Sequence, residues 1–161
     1  MKEIFKNNGA HFDETRTYRY ALWRTWDESK PKIMFVGLNP STANENDNDP
    51  TIRRVISFAQ KWGYGSVFMV NLFPFVTTYP SELEKNKKNI NENDEFVKMI
   101  ASQCEKIVFA WGNFKEATIR GKEIAMKFPT AYALQINKNG TPKHPLYVRG
   151  DVNLIQYKLK F

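Results

Sequence analysis

Short apolar runs alternate along this chain with longer stretches in which apolar residues recur at helical spacing. The runs are nearly continuous, which is typical of strands buried on both faces, and they cover residues 32–36, 66–72, 106–111 and 131–136. Because helical patterns separate these runs, the sequence predicts right-handed crossovers and a mostly parallel sheet with helices on both faces. The predicted helical segments are residues 50–62, 80–104 and 113–127.

The predicted helices have recognisable ends and inward faces. Asp49 and Pro50 suit the cap and first turn of the first helix, and Gly63 suits its end. The second segment divides into a short helix followed by a longer one. In the last segment, the positions predicted to face inward are Ala117, Ile119, Ile124 and Ala125.

The N-terminal part of the chain is predicted to supply an edge strand. Residues 16–26 are rich in strand-forming aromatics, and the turn-forming residues 27–31 connect them to the run at 32–36. We therefore expect this strand to pair antiparallel with residues 32–36 at the edge of the sheet. Its arginines would reach either solvent or phosphates, and they are Arg16, Arg19 and Arg24.

These patterns together predict one α/β domain over residues 1–161. The expected architecture is a three-layer α/β/α sandwich whose mostly parallel central sheet has about four strands plus an antiparallel N-terminal edge strand. Residues 1–14 are expected to be loosely ordered. The tail at 151–161 fits a short helix or an edge strand equally well.

Polar residues follow each buried run, where open α/β sheets place their ligands. Asn39 and Ser41 lie in the loop after the first run, where they can either meet a ligand or satisfy local backbone groups. Asn71 is the polar residue near the end of the second run, and it either pins a neighbouring loop or faces a ligand. Asn113 and His144 occupy the later loops, so we expect these side chains to line a common cleft.

Charge and cysteine content narrow the possible partners. The net charge is +7 and the isoelectric point about 9.4, which favours an anionic partner such as nucleic acid or a nucleotide. A merely soluble basic protein would carry the same charge, so charge alone does not decide between the two. A single cysteine, Cys104, excludes an intrachain disulfide and a thiolate cluster, so we expect a cytoplasmic protein without metal or cofactor. Neither a signal peptide nor a membrane-spanning run is recognisable, and no membrane partner is expected.

Four short motifs, in this order, resemble those of the uracil-DNA glycosylase superfamily. Residues 37–41, Gly-Leu-Asn-Pro-Ser, are similar to the first motif of its mismatch-specific and thymine-DNA branches, and Asn71 falls where a strand-end asparagine reads the flipped base. Residues 108–113 are similar to its Val-Phe-Leu-Leu-Trp-Gly-Ser strand, and the segment His144-Pro145-Leu146 resembles its histidine–proline loop. The chain also resembles an uncharacterised bacterial and phage family that shares the first and last of these motifs.

The sequence departs from the superfamily pattern at specific positions. Asn39 stands where the strongest enzymes carry a water-activating aspartate, and no tyrosine follows Pro40. The cysteines of the iron–sulfur branches are missing. Residues 44–50 are more acidic than a loop that faces DNA should be. The resemblance therefore implies the fold more directly than the activity.

The resemblance implies a monomeric enzyme that binds DNA, extrudes a damaged or modified base and hydrolyses its N-glycosidic bond. His144 would donate to a base oxygen as negative charge develops, and Asn39 would hold the water. Asp49 could replace the missing carboxylate or only cap its helix. The expected substrate-binding residues are Gly37, Leu38, Pro40, Ser41, Asn71, Phe73, Trp111, Asn113 and Leu146, and the expected DNA-backbone contacts are Arg53, Arg54, Lys143 and Arg149.

Purely structural roles stay open for several of these residues. The alternatives are a plain surface histidine for His144, an inward-packing loop residue for Leu146, and a core position for Phe73 or Phe75. Two other functions also fit the same residues. One is an enzyme of this fold that acts on a modified nucleoside or nucleotide, and the other is a non-catalytic nucleic-acid-binding module.

Overall fold

The computed structural model describes residues 7–159 and contains a mixed sheet of seven strands in that range. The order across the sheet is β1-β2-β4-β3-β5-β6-β7. Residues 1–6 of the segment expected to be loosely ordered lie outside the described residues. The strands are β1 (Gly9–Phe12), β2 (Arg19–Thr25), β3 (Lys32–Gly37), β4 (Ser66–Asn71), β5 (Lys106–Phe109), β6 (Tyr132–Ala133) and β7 (Ile155–Gln156).

The middle of the sheet is parallel and its margins are antiparallel. Strand β3 pairs in parallel with β4 on one side and with β5 on the other, and β6 continues the parallel pairing next to β5. Strands β1, β2 and β7 are antiparallel to their neighbours. The α/β class is therefore confirmed, but the sheet is larger and more mixed than the predicted four strands and one edge strand.

The predicted pairing of the N-terminal strand with residues 32–36 is wrong. Strand β2 pairs with β4 instead, with Leu22 opposite Met69. The backbone N–H groups of Trp26 and Asp27 both donate to Gly65 O, which directs the turn to the start of β4 rather than into a hairpin. Strand β1 covers the other edge of β2, so residues 9–12 are ordered and β2 is an interior strand.

Helices cover both faces of the sheet. Helix α1 (Pro50–Lys61) packs on one face, and α2 (Ile90–Ala101) and α3 (Thr118–Lys127) pack on the other. The prediction that Ile119 faces inward is wrong, because its side chain is 70% exposed. A 3-10 turn at Lys115–Ala117 precedes α3 and changes the phase of the helical pattern read from residue 113.

The last predicted strand is shorter than its apolar run. Only Tyr132–Ala133 form β6, because the chain then turns back on itself, with an isolated bridge between Ile136 and Pro142. Of the two alternatives for the tail, the edge strand is observed, as β7. Within residues 7–159, none of the helices has the length and apolar character needed to cross a membrane.

Candidate functional site

A small pocket lies where β3 and β4 end, and we call it the strand-end pocket. Its volume is about 150 Å³, and the start of α1 and the loop after residue 142 complete its walls. The structure thus brings together the ends of two parallel strands, as expected for an open α/β sheet. The predicted site residues that line the pocket are Gly37, Leu38, Asn39, Ser41, Asp49, Asn71 and His144.

Asn71 is the most buried polar side chain of this pocket, at 1% exposure. Its Nδ2 has no hydrogen-bond partner within the described residues. Its backbone is held from behind, because Asn93 Nδ2 donates to Asn71 O at 2.9 Å. Arg120 similarly donates to Leu72 O at 3.0 and 3.2 Å. A buried donor that lacks a partner is costly, so this amide is positioned to meet a ligand.

Gly37 leaves the space that Asn71 occupies. The two residues are opposite each other in the parallel pairing of β3 with β4. A Cβ atom on Gly37 would lie 2.8 Å from Asn71 Oδ1 and 2.6 Å from Met69 Cε. The glycine is therefore required by the close approach of Asn71.

Asn39 is fixed by the loop that follows β4. Its Nδ2 donates to Pro40 O at 2.9 Å and to Thr77 O at 2.8 Å. Both amide hydrogens are thereby used, so Asn39 satisfies backbone carbonyl groups, which is one of the two roles that the sequence left open. Asn39 lines the pocket, and its Oδ1, which accepts no hydrogen bond among those found in residues 7–159, is available as an acceptor.

His144 lines the pocket and has a defined tautomer. Its Nδ1 accepts a hydrogen bond from Leu146 N at 3.2 Å, so the neutral imidazole carries its proton on Nε2. Burial lowers the pKa of His144 below its usual 6.5, and the nearby Asp49 carboxylate offsets part of this shift. The neutral form is therefore favoured, with Nε2–H as a donor.

Asp49 both caps a helix and lines the pocket. Its Oδ1 accepts from Ile52 N at 2.8 Å, which is the capping contact predicted for α1. The same residue lines the pocket together with Arg19 and His144, and its charge favours the protonated forms of both. The two roles proposed for Asp49 are thus compatible in space, because a carboxylate has two oxygens.

Arg19 is a charged pocket residue that the sequence analysis did not place in the site. Its side chain lines the pocket at 2% exposure, and burial lowers its pKa to about 10. The signal available in the sequence was an arginine at the start of an aromatic strand, which reads equally well as a solvent-facing edge residue. Arg19 is buried because β2 is an interior strand, which lies between β1 and β4.

Several predicted binding residues lie away from the pocket. Trp111 and Asn113 line a separate cavity of about 610 Å³, which meets the strand-end pocket only at Phe114. The expected common cleft therefore contains Asn39, Asn71 and His144 but not Asn113.

Three other predicted binding residues also lie outside the pocket lining. Phe73 is 2% exposed and packs in the core, Pro40 is buried beside the pocket, and Leu146 is 45% exposed outside it.

The predicted DNA-backbone residues differ in their exposure and in the contacts that their side chains already make within the protein. Arg54 donates to Pro145 O and Val148 O, so it holds the His144 loop against α1. Arg53 is exposed and donates to Asn48 O, and Arg149 is exposed and pairs with Asp151 at 3.2 Å. Lys143 is partly exposed.

The acidic segment 44–50 has a structural explanation. Glu45 accepts two hydrogen bonds from Arg16, at 2.7 and 2.8 Å, and this contact lowers its pKa to about 2. Arg24 donates to Asn44 O at 2.6 Å and to Asp47 O at 3.3 Å. Arg16 therefore neutralises part of this segment's charge, and Arg24 binds its backbone.

Comparison with known proteins gives a family and no activity. No curated protein and no solved structure matches the chain, and nothing found links it to the uracil-DNA glycosylase superfamily. A family model described as a protein of unknown function, DUF1643, matches residues 19–146. The match extends from the first residue of β2 into the loop that carries His144. The chain therefore belongs to the DUF1643 family.

Proposed function

We propose that this protein binds DNA, holds one extruded base in the strand-end pocket and hydrolyses its N-glycosidic bond. The observation that carries the proposal is the convergence of Asn39, Asp49, Asn71 and His144 on a pocket of about 150 Å³. A cavity of about this volume holds one six-membered ring, as an engineered 150 Å³ cavity that binds benzene illustrates. The pocket thus suits a nucleobase rather than a whole nucleotide.

Two side chains would recognise the base. The Asn71 amide, which is buried and has a donor without a partner, offers both a donor and an acceptor to a base edge. His144 Nε2–H would donate to a base oxygen. As the bond between the base and C1′ breaks, its electron pair moves to the base, and this donor stabilises the resulting anion.

The other two side chains would act on water. Asn39 Oδ1 would accept a hydrogen bond from a water molecule and so orient it. The carboxylate oxygen of Asp49 that does not cap α1 would accept a proton as the water oxygen bonds to C1′. The carboxylate charge also stabilises the cationic sugar that forms as the base leaves. The products are an abasic site and the base anion, which takes up a proton from solvent to become the free base.

A relation to the uracil-DNA glycosylase superfamily is part of this proposal. Four neighbouring parallel strands, β4-β3-β5-β6, and helices on both faces support a mostly parallel α/β/α sandwich of that kind. Leu146, exposed beside His144, would fill the gap that the extruded base leaves in the duplex. Arg53, Lys143 and Arg149 would contact the phosphates on either side.

A second candidate function is an enzyme that acts on a free nucleoside or nucleotide. The observation that favours it is the buried Arg19 cation in the pocket wall, because a DNA base is neutral before its bond breaks. Binding of duplex DNA with a steep dependence on salt separates the two candidates, since only the first uses a row of phosphates. If Asp49 only caps α1 and accepts no proton, the protein would be a non-catalytic nucleic-acid-binding module.

The experiment that tests the proposal is incubation with duplexes that each carry one modified base, followed by alkali cleavage at abasic sites. We expect strand breaks at the position of at least one modification and none in the unmodified duplex. If every duplex stays intact while the protein still binds it, the non-catalytic module replaces the enzyme.

A further inference from the structure

Buried arginines in this protein are of two kinds. Arg24 and Arg120 are fully used: Arg24 donates to four backbone oxygens and to Asn48 Oδ1, and Arg120 donates to Leu72 O and to two carboxylates. Arg19 is equally buried, but its guanidinium makes one hydrogen bond within residues 7–159, from Nη1 to Ala43 O at 3.1 Å. Its Nε has no partner there.

No carboxylate of the described residues compensates the Arg19 charge by direct contact. The ion pairs found in residues 7–159 do not include it. Asp49 favours the charged form through space, but Arg24 opposes it and burial is the largest effect on the Arg19 pKa. A buried guanidinium without a counter-charge is strongly destabilising, so its retention calls for an anion from outside the chain.

Two further groups of the pocket are donors, although the Asp49 carboxylate and Asn39 line it as well. Asn71 Nδ2 is buried without a partner in the described residues, and His144 carries its proton on Nε2. Arg19, Asn71 and His144 line the same pocket. Three donors with one positive charge match a ligand that presents several acceptor oxygens and a negative charge.

We propose that the strand-end pocket contains an oxyanion subsite in which Arg19 binds a carboxylate or phosphate group of the ligand and Asn71 and His144 donate to its oxygens. This assignment rests on the proposed function in placing the ligand in the same pocket, and the anion would take the Asn71 and His144 donors that a base would use, so the two ligands exclude each other. It does not require that any bond be broken. The geometry of a guanidinium suits both anions, because its parallel N–H groups match two oxygens at once.

Titration calorimetry with inorganic phosphate and, separately, with acetate at constant ionic strength tests the subsite. We expect one of these anions to bind at one site per chain, and Arg19→Gln to weaken it about 10- to 100-fold, as expected for a hydrogen-bonded charge. Lys98→Gln removes an exposed charge outside the pocket and should leave binding unchanged. Binding of phosphate assigns a phosphate source, and binding of acetate assigns a carboxylate.

Thermal unfolding separates this role from a structural one. Because no carboxylate of residues 7–159 contacts Arg19 directly, Arg19→Met should leave the melting temperature unchanged or higher. Arg24→Met, which removes five hydrogen bonds, should lower it. Phosphate or acetate should raise the melting temperature of the wild type but not of Arg19→Met.

Three results would overturn the subsite. They are no binding of either anion to the wild type, equal binding to wild type and Arg19→Gln, and loss of cooperative unfolding in both Arg19→Gln and Arg19→Met. Anion binding that depends on Arg19, together with no base release from any duplex, would keep the subsite and reject only the glycosylase function. Base release without anion binding would keep the glycosylase function and reject only the subsite.

Discussion

Gly37 and Asn71 face each other across β3 and β4 so closely that a Cβ on the glycine would lie 2.8 Å from Asn71 Oδ1. Gly37→Ala should therefore displace the Asn71 amide or Met69. We expect a cost of about 1–3 kcal/mol in the free energy of unfolding, typical of overpacking, and loss of ligand selectivity. Chemical denaturation and base-release assays would measure these effects.

The matched control for this substitution is Gly150→Ala. There the nearest atom to an added Cβ is Lys61 Nζ, 3.3 Å away at the end of a flexible side chain. This variant should keep its stability to within about 0.5 kcal/mol, as surface substitutions usually do. If Gly37→Ala behaves like Gly150→Ala, Asn71 is not held where the structure places it.

Acid should destabilise the protein through His144. Burial lowers the pKa of this imidazole, so the neutral form is more stable in the folded than in the unfolded chain. Its contribution to stability is complete above the unfolded pKa of about 6.5 and is lost as pH falls through the lower folded pKa. Melting temperatures of the wild type and His144→Gln should therefore converge or cross as the pH is lowered below about 6.5. A constant difference at all pH values would contradict the buried position of His144.

The two roles of Asp49 can be separated by two substitutions. Asp49→Asn keeps a good helix cap but removes the proton acceptor, so base release should be lost with little change in stability. Asp49→Ala removes the cap as well and should cost a further 1 kcal/mol or so, within the range of about 0.5–2 kcal/mol known for caps. Equal activity of the wild type and Asp49→Asn would leave capping as the only role.

Phosphate contacts should make DNA binding steeply dependent on salt. Lys143→Ala and Arg149→Ala should each weaken binding to all sequences about equally and reduce the salt slope by about 1. Arg149 must leave Asp151, its partner in the free protein, to make this contact. Fluorescence anisotropy at several salt concentrations measures the slope, and Lys98→Ala supplies the control. Affinity that does not change with salt would favour the nucleotide enzyme.

The sequence predicted the elements that have strong local signals. The capped start of α1 at Asp49 and Pro50 and the buried runs that became β3 and β4 are observed within one residue of their expected bounds. Because strand ends meet at one edge of a parallel sheet, the meeting of Asn39, Asn71 and His144 could also be predicted.

What the sequence did not reveal depends on contacts between distant segments. The partner of β2 is set by the docking of residues 26 and 27 on Gly65, which no local pattern records. Arg19 looked like an edge residue because β1 was not recognised as the strand that covers β2. Arg54 looked like a DNA contact, but its acceptors are backbone oxygens in a loop about 90 residues further along the chain.

The most direct test of base excision is the rate at which free base is released from a duplex that the wild type cleaves, compared with His144→Ala and Asn39→Asp. Loss of a donor at a developing anion costs about 2.7–4 kcal/mol, so His144→Ala should be roughly 100- to 1,000-fold slower with duplex binding nearly intact. Asn39→Asp should be faster if the pocket tolerates its charge, because a carboxylate can accept a proton and stabilise the cationic sugar. Release of no base by either the wild type or Asn39→Asp, from any modified duplex, would contradict glycosylase chemistry.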